Sequence, residues 1–368
     1  MFLSKLAHKG MELTKVVQLL DAYCLPHLAE KWDNVGLLIE PSIPHHVDKI
    51  FITNDLTEQV LDEAISQKCG LIVSYHPPIF SPLKKLTQQH WKERIVVRCI
   101  ENKIGVFSPH TGLDAKLGGI NDWLLEPLGK FILTLYSSIA VNRRESLSRS
   151  PITQTLSRLT VVMNENFGDF VISTGVRVST TNVKSNAGIT AIVTCAESDL
   201  KRVVDVTEEL KISVVSIDTI QKTSEEGCGR LVTLQFPIHL KTVVAAYKKF
   251  LNMGHLTVAP GLGKTLDCPI KTVAVCAGSG GSLLCQTPAS FAADLFITGE
   301  LSHHDRLEAV SRGISIILAG HSVTERGFFR ERFIPDFRHL LSTVHNAGEI
   351  PHLELLLSDA DHEPGFVV

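Results

Sequence analysis

Apolar and polar residues alternate regularly along the first third of the chain. From Glu12 to Cys24, apolar residues recur every three or four positions, which predicts an amphipathic helix. Short apolar runs follow, each ending in a polar cluster and separated from the next by a helical stretch, and they lie at 49–53, 70–74 and 104–107. Strands that alternate with helices predict βαβ units and a largely parallel sheet.

The last third of the chain repeats this order. Its apolar runs, each again ending in a polar or glycine-rich turn, lie at 272–275, 295–298 and 314–318. The sharpest match between the two parts is a carboxylate four residues after a histidine, namely Asp114 after His110 and Glu325 after His321. We interpret this as a degenerate internal repeat, which predicts an α/β protein whose composite main domain contains two similar βαβ-type halves.

The middle of the chain has a different character. Residues 137–160 are rich in serine and arginine, and we interpret them as a connection. Residues 188–258 show the order strand, helix, strand, strand, helix, strand, which predicts an inserted ferredoxin-like α+β domain. The predicted limits are 1–135 for the first half, 136–261 for the connection and insert, and 262–368 for the second half.

Composition and charge narrow the class of protein. The 368 residues are 44% hydrophobic and 20% charged, which is typical of a globular chain and excludes disorder, collagen and coiled coil. A formal net charge of −3 gives no general reason to bind nucleic acid or an anionic membrane. No apolar run is long enough to span a bilayer, so we expect a soluble protein. Together with the net charge, this leads us to expect that the protein binds neither nucleic acid nor membrane.

The cysteines and the first ten residues of the chain indicate the cellular compartment. The 8 cysteines are scattered without a C-x-x-C pair, which favours reduced, mostly buried thiols in a cytosolic or nuclear compartment. Residues 1–10 carry two lysines and no acidic residue, so a weak organelle-targeting leader is an alternative to a frayed segment before the first helix. We favour the frayed segment and expect a cytoplasmic protein, with the nucleus as a second compartment.

Three of the predicted strands end in residues that can bind metal. If a helix begins near His321, Glu325 lies one turn later on the same face, where imidazole and carboxylate reach one cation. Taken alone, such a pair is more often a helix start with a capping carboxylate. The same spacing in His110 and Asp114, with His76 at a third strand end, favours metal. Because ligands bind at the carboxyl ends of parallel strands, we predict that His76, Asp114, His321 and Glu325 converge.

The chemistry of this set limits the metal and leaves two neighbouring features open. Imidazoles and carboxylates without thiolates suit zinc, iron or manganese rather than a structural cysteine-rich zinc site. Glu300 and the cluster 303–305 are interpreted either as pocket residues that orient a ligand or as a solvated helix start. The glycine-rich run 277–282 resembles an anion-binding turn weakly, since it matches neither the dinucleotide motif nor the P-loop.

Several of these motifs together resemble the NIF-three-like family, named for NGG-one-interacting factor three and also labelled GTP cyclohydrolase I type 2. The resemblance covers nearly the whole chain outside the first ten residues and the middle, and the matching segments are 32–37, 75–80, 110–114, 298–304 and 320–325. Residues 54–57 and 74–78 are most similar to the animal branch of the family.

The resemblance implies a centre of two divalent metal ions between two similar halves, often within a hexameric ring. By motif, His76, Asp114, His321 and Glu325 fall on the ligand positions. One residue departs from the family pattern, because Tyr75 stands where the family usually has a second histidine. A phenol is a poorer ligand than imidazole, so either the second ion binds weakly or part of the family's chemistry is lost.

Two functions follow from the resemblance. The first is a metal-dependent hydrolase of unknown substrate, in which two ions polarise the substrate and activate water while Glu300 or His304 moves a proton. The cyclohydrolase label comes from the family alone, since no guanine-specific element stands out in the sequence. The second is a non-enzymatic corepressor or scaffold that binds a transcriptional regulator, which the missing histidine favours modestly. Either would be a homo-oligomer.

Overall fold

A computed structural model describes residues 10–139, 153–163, 177–185, 188–196, 200–223, 227–344 and 353–365. Its strands are β1 (Met11–Glu12), β2 (Gly36–Ile39), β3 (His46–Val47), β4 (Lys49–Thr53), β5 (Leu71–Ser74), β6 (Gly105–Ser108), β7 (Ile132–Ile139), β8 (Thr153–Met163), β9 (Arg177–Ser185), β10 (Gly188–Ala196), β11 (Ser213–Thr223), β12 (Gly229–His239), β13 (Thr257–Ala259), β14 (Pro269–Ser279), β15 (Leu295–Glu300), β16 (Ser315–Leu318) and β17 (Glu354–Leu357). Its α-helices are Leu13–Cys24, Glu58–Ser66, Trp91–Glu101, His110–Ala115, Ile120–Leu124, Leu200–Glu209, Leu240–Phe250, Gly281–Leu284, His303–Ser311, Val323–Phe328 and Ile334–Val344. Among the described helices, none is long and apolar enough to cross a membrane.

The first sheet contains the three strands predicted in the first third of the chain. Its order is β17-β4-β5-β6-β2, in which β4, β5 and β6 are parallel and β2 is antiparallel to β6. Helices Glu58–Ser66 and Trp91–Glu101 connect the parallel strands, and nearly every residue of β4, β5 and β6 is buried. Such continuous burial is typical of parallel strands that are covered on both faces. The prediction of an α/β chain is confirmed here.

The second sheet contains the strands predicted in the last third. Its order is β13-β16-β15-β14-β12-β7, in which β14, β15 and β16 are parallel and the other three strands are antiparallel to their neighbours. Buried side chains of both sheets, such as Ile52 and Phe107 of the first and Val275 and Ile297 of the second, belong to one hydrophobic core. The two sheets therefore pack as parts of one body.

The predicted ferredoxin-like grouping of 188–258 is wrong. β10 and β11 lie in a separate antiparallel sheet of order β11-β8-β10-β9, whereas β12 and β13 belong to the second sheet. Arg230 of β12 pairs in register with Val275 of β14, and its fully buried guanidinium donates to Asp122 at 2.9 Å. A buried guanidinium without such a partner would be strongly destabilising, so this pair anchors β12 to the main body. Periodicity identified the strands but carried no information about their partners.

Three further predictions are tested only in part or not at all. The predicted connection at 137–160 contains the end of β7 and most of β8, and its centre at 140–152 lies outside the described residues. Residues 1–9, interpreted as a frayed segment with a weak leader as the alternative, also lie outside them. The domain limits 1–135, 136–261 and 262–368 stay a prediction.

The chain returns to the first sheet near its C-terminal end. β17 pairs in parallel with β4, although the two strands are about 300 residues apart in sequence. Glu63 then accepts hydrogen bonds from residues 358–360, and Arg326 forms an ion pair with Asp361 at 3.1 Å. These contacts fix the C-terminal segment beside the carboxyl ends of the parallel strands.

Candidate metal centre

The candidate ligands lie in loops or short helices that follow parallel strands. His76 comes two residues after β5, and its backbone N–H donates to the carbonyl of Asn54, which follows β4, at 3.0 Å. His321 comes three residues after β16, and Glu325 lies in the first turn of helix Val323–Phe328. Because carboxyl ends of parallel strands share an edge, each sheet delivers its ligands to one place.

Glu325 lies between the two histidines. Its Oε2 atom is 3.5 Å from Nε2 of His76, and its Oε1 atom is 3.5 Å from Nε2 of His321. The ligand atoms of the three side chains all lie within 4.8 Å of one another. We call His76, His321 and Glu325 the triad. The spacing leaves room for one ion among the three groups.

Both triad histidines are oriented by a carboxylate on the far side of the ring. Asp55 Oδ1 is 2.8 Å from Nδ1 of His76, and Glu300 Oε1 is 2.8 Å from Nδ1 of His321. A proton on each Nδ1 leaves the Nε2 lone pair available, which is the usual arrangement behind histidines that bind metal. Glu300, predicted for proton transfer, lies within hydrogen-bond distance of the ring of His321.

Two observations on the protein side fit a cation at the triad. Gly278 has φ +63°, and a Cβ atom there would lie 2.5 Å from Oε1 of Glu325 and 3.0 Å from Nε2 of His321. Only glycine keeps this space open. Asn54 Oδ1 is buried without a hydrogen-bond partner among the described residues, while Asn54 Nδ2 donates to Glu325 Oε2 at 3.1 Å. Two imidazoles and one carboxylate are a donor set that binds zinc and related ions.

Asp114 lines the same cavity but is engaged differently. The cavity, of about 820 Å³, is lined by all four predicted side chains, so the predicted convergence is confirmed and their ligand roles stay a prediction. The hydroxyl of Tyr75 donates to Oδ1 of Asp114 at 2.5 Å, and the Tyr75 ring is 1% exposed and packs against Phe329 at 5.7 Å. Tyr75 therefore fixes Asp114 within the cavity wall.

Burial and hydrogen bonds together set the pKa values of the acidic residues in the candidate centre. It raises the pKa of Glu325 well above its ordinary value, even though the hydrogen bond from Asn54 lowers it. It also raises the pKa of Asp114 to about 6. For Asp55, burial is outweighed by hydrogen bonds, first that of His76, which lower its pKa to about 2. Without a cation, Glu325 and Asp114 therefore bind protons more readily than ordinary carboxyl groups do.

A third histidine–carboxylate pair lies beside the triad. Nδ1 of His110 is 2.8 Å from Oδ1 of Asp33, whose other oxygen accepts from the backbone N–H of Thr111 at 3.1 Å. His110 has φ +28°, which is uncommon for a residue with a side chain. Its ring lies 5.4 Å from that of His76. His304 is exposed in the first turn of helix His303–Ser311 and is not among the cavity-lining residues.

Sequence reasoning missed the roles of Asn54 and Gly278. Asn54 and Asp55 enter the sequence analysis only as part of the segment 54–57 that resembles the family. Their position directly after β4, at the carboxyl end of a parallel strand, is the signal that could have selected them. Gly278 was assigned to a weak anion-binding turn, whereas its neighbours are Glu325 and His321.

The raised pKa of Asp114 predicts how acidity affects the metal-free protein. At pH values between the ordinary pKa of an aspartate and the pKa of about 6 in the folded protein, the native state binds more protons than the unfolded state does. The free energy of unfolding therefore falls as the pH rises through this range. From pH 4 to 7 the free energy of unfolding should fall by about 2 kcal/mol more in the wild type than in Asp114→Asn, which keeps an acceptor for Tyr75. Urea unfolding at several pH values, in the presence of a metal chelator, measures this difference. If the free energy of unfolding depends on pH in the same way in both proteins, the prediction is wrong.

Comparison with known proteins identifies the family. The family described as Duf34/NIF3 (NGG1p interacting factor 3) matches residues 11–349. NIF3-like protein 1 of Homo sapiens is 39% identical over 376 residues, which cover 97% of this chain and 93% of that protein. NGG1-interacting factor 3 of Saccharomyces cerevisiae is 29% identical over 333 residues, which cover 87% and 88% of the two chains.

Solved structures show the same fold at lower identity. A Bacillus cereus protein related to NIF3 superposes with a TM-score of 0.68 at 21% identity, and the match covers 96% of this chain and 98% of the other. The family match over nearly the whole length and the identity to animal relatives agree with the motifs around His76, His110 and His321. The chain belongs to the Duf34/NIF3 family.

Proposed function

We propose that this protein binds one divalent metal ion, zinc, iron or manganese, through the triad His76, His321 and Glu325. The observation that carries the proposal is that two oriented imidazole Nε2 atoms face the two oxygens of one buried carboxylate. A bound ion with an open position polarises a substrate oxygen and lowers the pKa of bound water, which is the chemistry of a hydrolase.

The geometry supports one ion better than the two implied by the family resemblance. A second ion would need Asp114 as a ligand, but the hydroxyl of Tyr75 already donates to that carboxylate. Tyr75 is fully buried against Phe329 and cannot turn away without opening a void in the core. The phenol, whose proton is donated to Oδ1 of Asp114, is a poor ligand for a second cation, and Asp114 would have to bind that cation through its other oxygen.

The chain's own residues then have separate parts. Asp55 and Glu300 hold the histidine rings in place, and Asn54 orients Glu325. In the earlier hypothesis Glu300 or His304 moves a proton. The contact of Glu300 with His321 and the exposure of His304 outside the cavity lining favour a positioning role for Glu300 and no part for His304.

The two parallel sheets support the proposal of two similar halves. β4, β5 and β6 correspond to β14, β15 and β16, and the segments with His110 and Asp114 and with His321 and Glu325 each follow the third strand of their set. In this proposal the inserted unit is the antiparallel sheet β8–β11 with helix Leu200–Glu209, in place of the ferredoxin-like domain.

Metal analysis tests the proposed function. Protein purified without chelator, and after addition of zinc or manganese, should hold about one ion per chain by mass spectrometry. A screen against phosphate esters and nucleotides then tests hydrolysis. His303→Ala, which changes an exposed histidine outside the cavity lining, is the matched control and should hold the same amount. Wild-type protein that binds neither metal would refute the proposal.

A second candidate function rests on the yeast relative, which is named as an NGG1-interacting factor. In this candidate the chain is a corepressor or scaffold for a transcriptional regulator, present in cytoplasm and nucleus, and assembled as a homo-oligomer such as a hexamer. Its partner binding would not need the metal. Capture of the regulator by a variant without metal, Glu325→Gln, therefore distinguishes it from the hydrolase.

A further inference from the structure

Trp32 and Phe80 are neighbouring aromatic side chains that are exposed at the wall of the candidate metal cavity. Trp32 is 50% exposed and Phe80 is 45% exposed, and their ring centroids lie 5.9 Å apart at an interplanar angle of 61°. The ring of His110 lies 6.2 Å from Trp32 and 6.3 Å from Phe80, at angles of 78° and 86°. We call Trp32, Phe80 and His110 the aromatic corner. Its rings meet at steep angles and leave apolar surface open to the cavity.

The aromatic corner leads directly to the triad. His110 lies 5.4 Å from the ring of His76, which in turn lies 5.2 Å from the ring of His321. A molecule that stacks on Trp32 or Phe80 therefore extends along the ring of His110 towards the triad. The corner and the triad are two ends of one binding surface within the same cavity.

The charges of the cavity limit what can bind there. Its lining contains the carboxyl groups of Glu30, Asp55, Asp114, Glu325 and Glu363 but, apart from histidines, a single basic residue, Lys92. One bound divalent ion does not reverse this excess of negative charge. A phosphorylated ligand would thus gain little from the lining, whereas carboxylates accept hydrogen bonds from ring N–H and amino groups.

We propose that the aromatic corner binds a planar, uncharged nitrogen heterocycle of the nucleobase type, whose edge points towards the triad. The flat ring stacks on Trp32 and Phe80, and its N–H groups donate to cavity carboxylates. An ammonium ligand fits less well, because it would share the cavity with a divalent cation that repels it. The proposal rests on the proposed metal function for the orientation of the ring edge and for the preference over an ammonium ligand.

Equilibrium dialysis of the zinc-loaded full chain with adenosine and with cytidine tests this proposal. At least one of these nucleosides should bind, and ribose, which lacks the ring, should bind at least about tenfold more weakly, as expected for lost aromatic contacts. Adenosine 5′-monophosphate should bind no more tightly than adenosine. Trp32→Ala and Phe80→Ala should each weaken nucleoside binding about 5- to 10-fold. Phe236→Ala, which removes an aromatic ring that is 66% exposed outside the cavity lining, should leave it unchanged.

Several results would overturn the proposal. They are failure of both nucleosides to bind, equal binding of ribose, tighter binding of the monophosphate, unchanged binding in Trp32→Ala, and displacement of the nucleoside by tetramethylammonium. Zinc content is measured in the same samples. Chains that retain zinc but bind no nucleoside contradict this inference alone, whereas chains that retain no zinc contradict the proposed metal function.

Discussion

Replacing Glu325 with glutamine should leave the protein without its metal ion. Both histidine Nε2 atoms face the oxygens of this carboxylate, and a neutral amide removes the negative charge that holds the cation between them. The amide nitrogen would also take the place of one of the two donor oxygens. Metal content by mass spectrometry should fall from about one ion per chain to near zero. This loss of metal affinity should be larger than the roughly 10- to 100-fold weakening that follows when a residue that hydrogen-bonds to a metal ligand is replaced.

Two comparisons make this result specific. Glu300→Gln changes the partner of His321 Nδ1 and should weaken metal binding about 10- to 100-fold without abolishing it. Glu308→Gln changes an exposed glutamate paired with Arg312, away from the triad, and should bind metal as the wild type does. Without metal, Glu325→Gln should be at least as stable as the wild type, because it removes a buried carboxyl whose ionisation is unfavourable. Full metal content in Glu325→Gln would show that the ion lies elsewhere.

The strand and helix pattern was predictable, but part of the pairing was not. Continuous apolar runs such as Ile50 to Thr53 are local properties of the sequence, and parallel strands joined by helices follow from their alternation. Arg230 pairs with Val275 in the second sheet, and its buried guanidinium donates to Asp122, which is a contact between distant segments. Periodicity cannot show such contacts, so β12 was assigned to the wrong sheet.

The candidate site, like the fold, could be predicted from the sequence only in part. His76, His321 and Glu325 could be selected as candidate ligands because residue type and position after a parallel strand both favour metal binding. Glu300 satisfied the same criteria, yet its role depends on the direction of one hydrogen bond, to Nδ1 of His321. The contact between the hydroxyl of Tyr75 and Asp114 joins residues 39 positions apart, and no spacing rule predicts it. The types of the candidate ligands can be identified from the sequence alone. Their separate roles depend on contacts between distant residues, which only the three-dimensional structure gives.

Tyr75→His should change the number of ions from one to two. The substitution removes the hydroxyl that donates to Asp114, which frees this carboxylate, and it places an imidazole beside His76. Imidazole and carboxylate are favourable ligands for zinc or manganese, and Glu325 can share an oxygen with a second ion. Metal analysis after dialysis against excess manganese measures the change.

The same substitution has a cost in the metal-free protein. It removes ring contacts with Phe329 and leaves the partly buried Asp114 without its donor, so the free energy of unfolding should fall by about 2–4 kcal/mol. Tyr75→Phe is the matched control, because it keeps the ring, frees Asp114 and adds no ligand. This variant should be destabilised less and should still bind one ion, since Asp114 alone does not complete a second site. A folded Tyr75→His protein that binds a single ion would show that Tyr75 does not determine the number of ions, and two ions in the wild type would contradict the one-ion proposal directly.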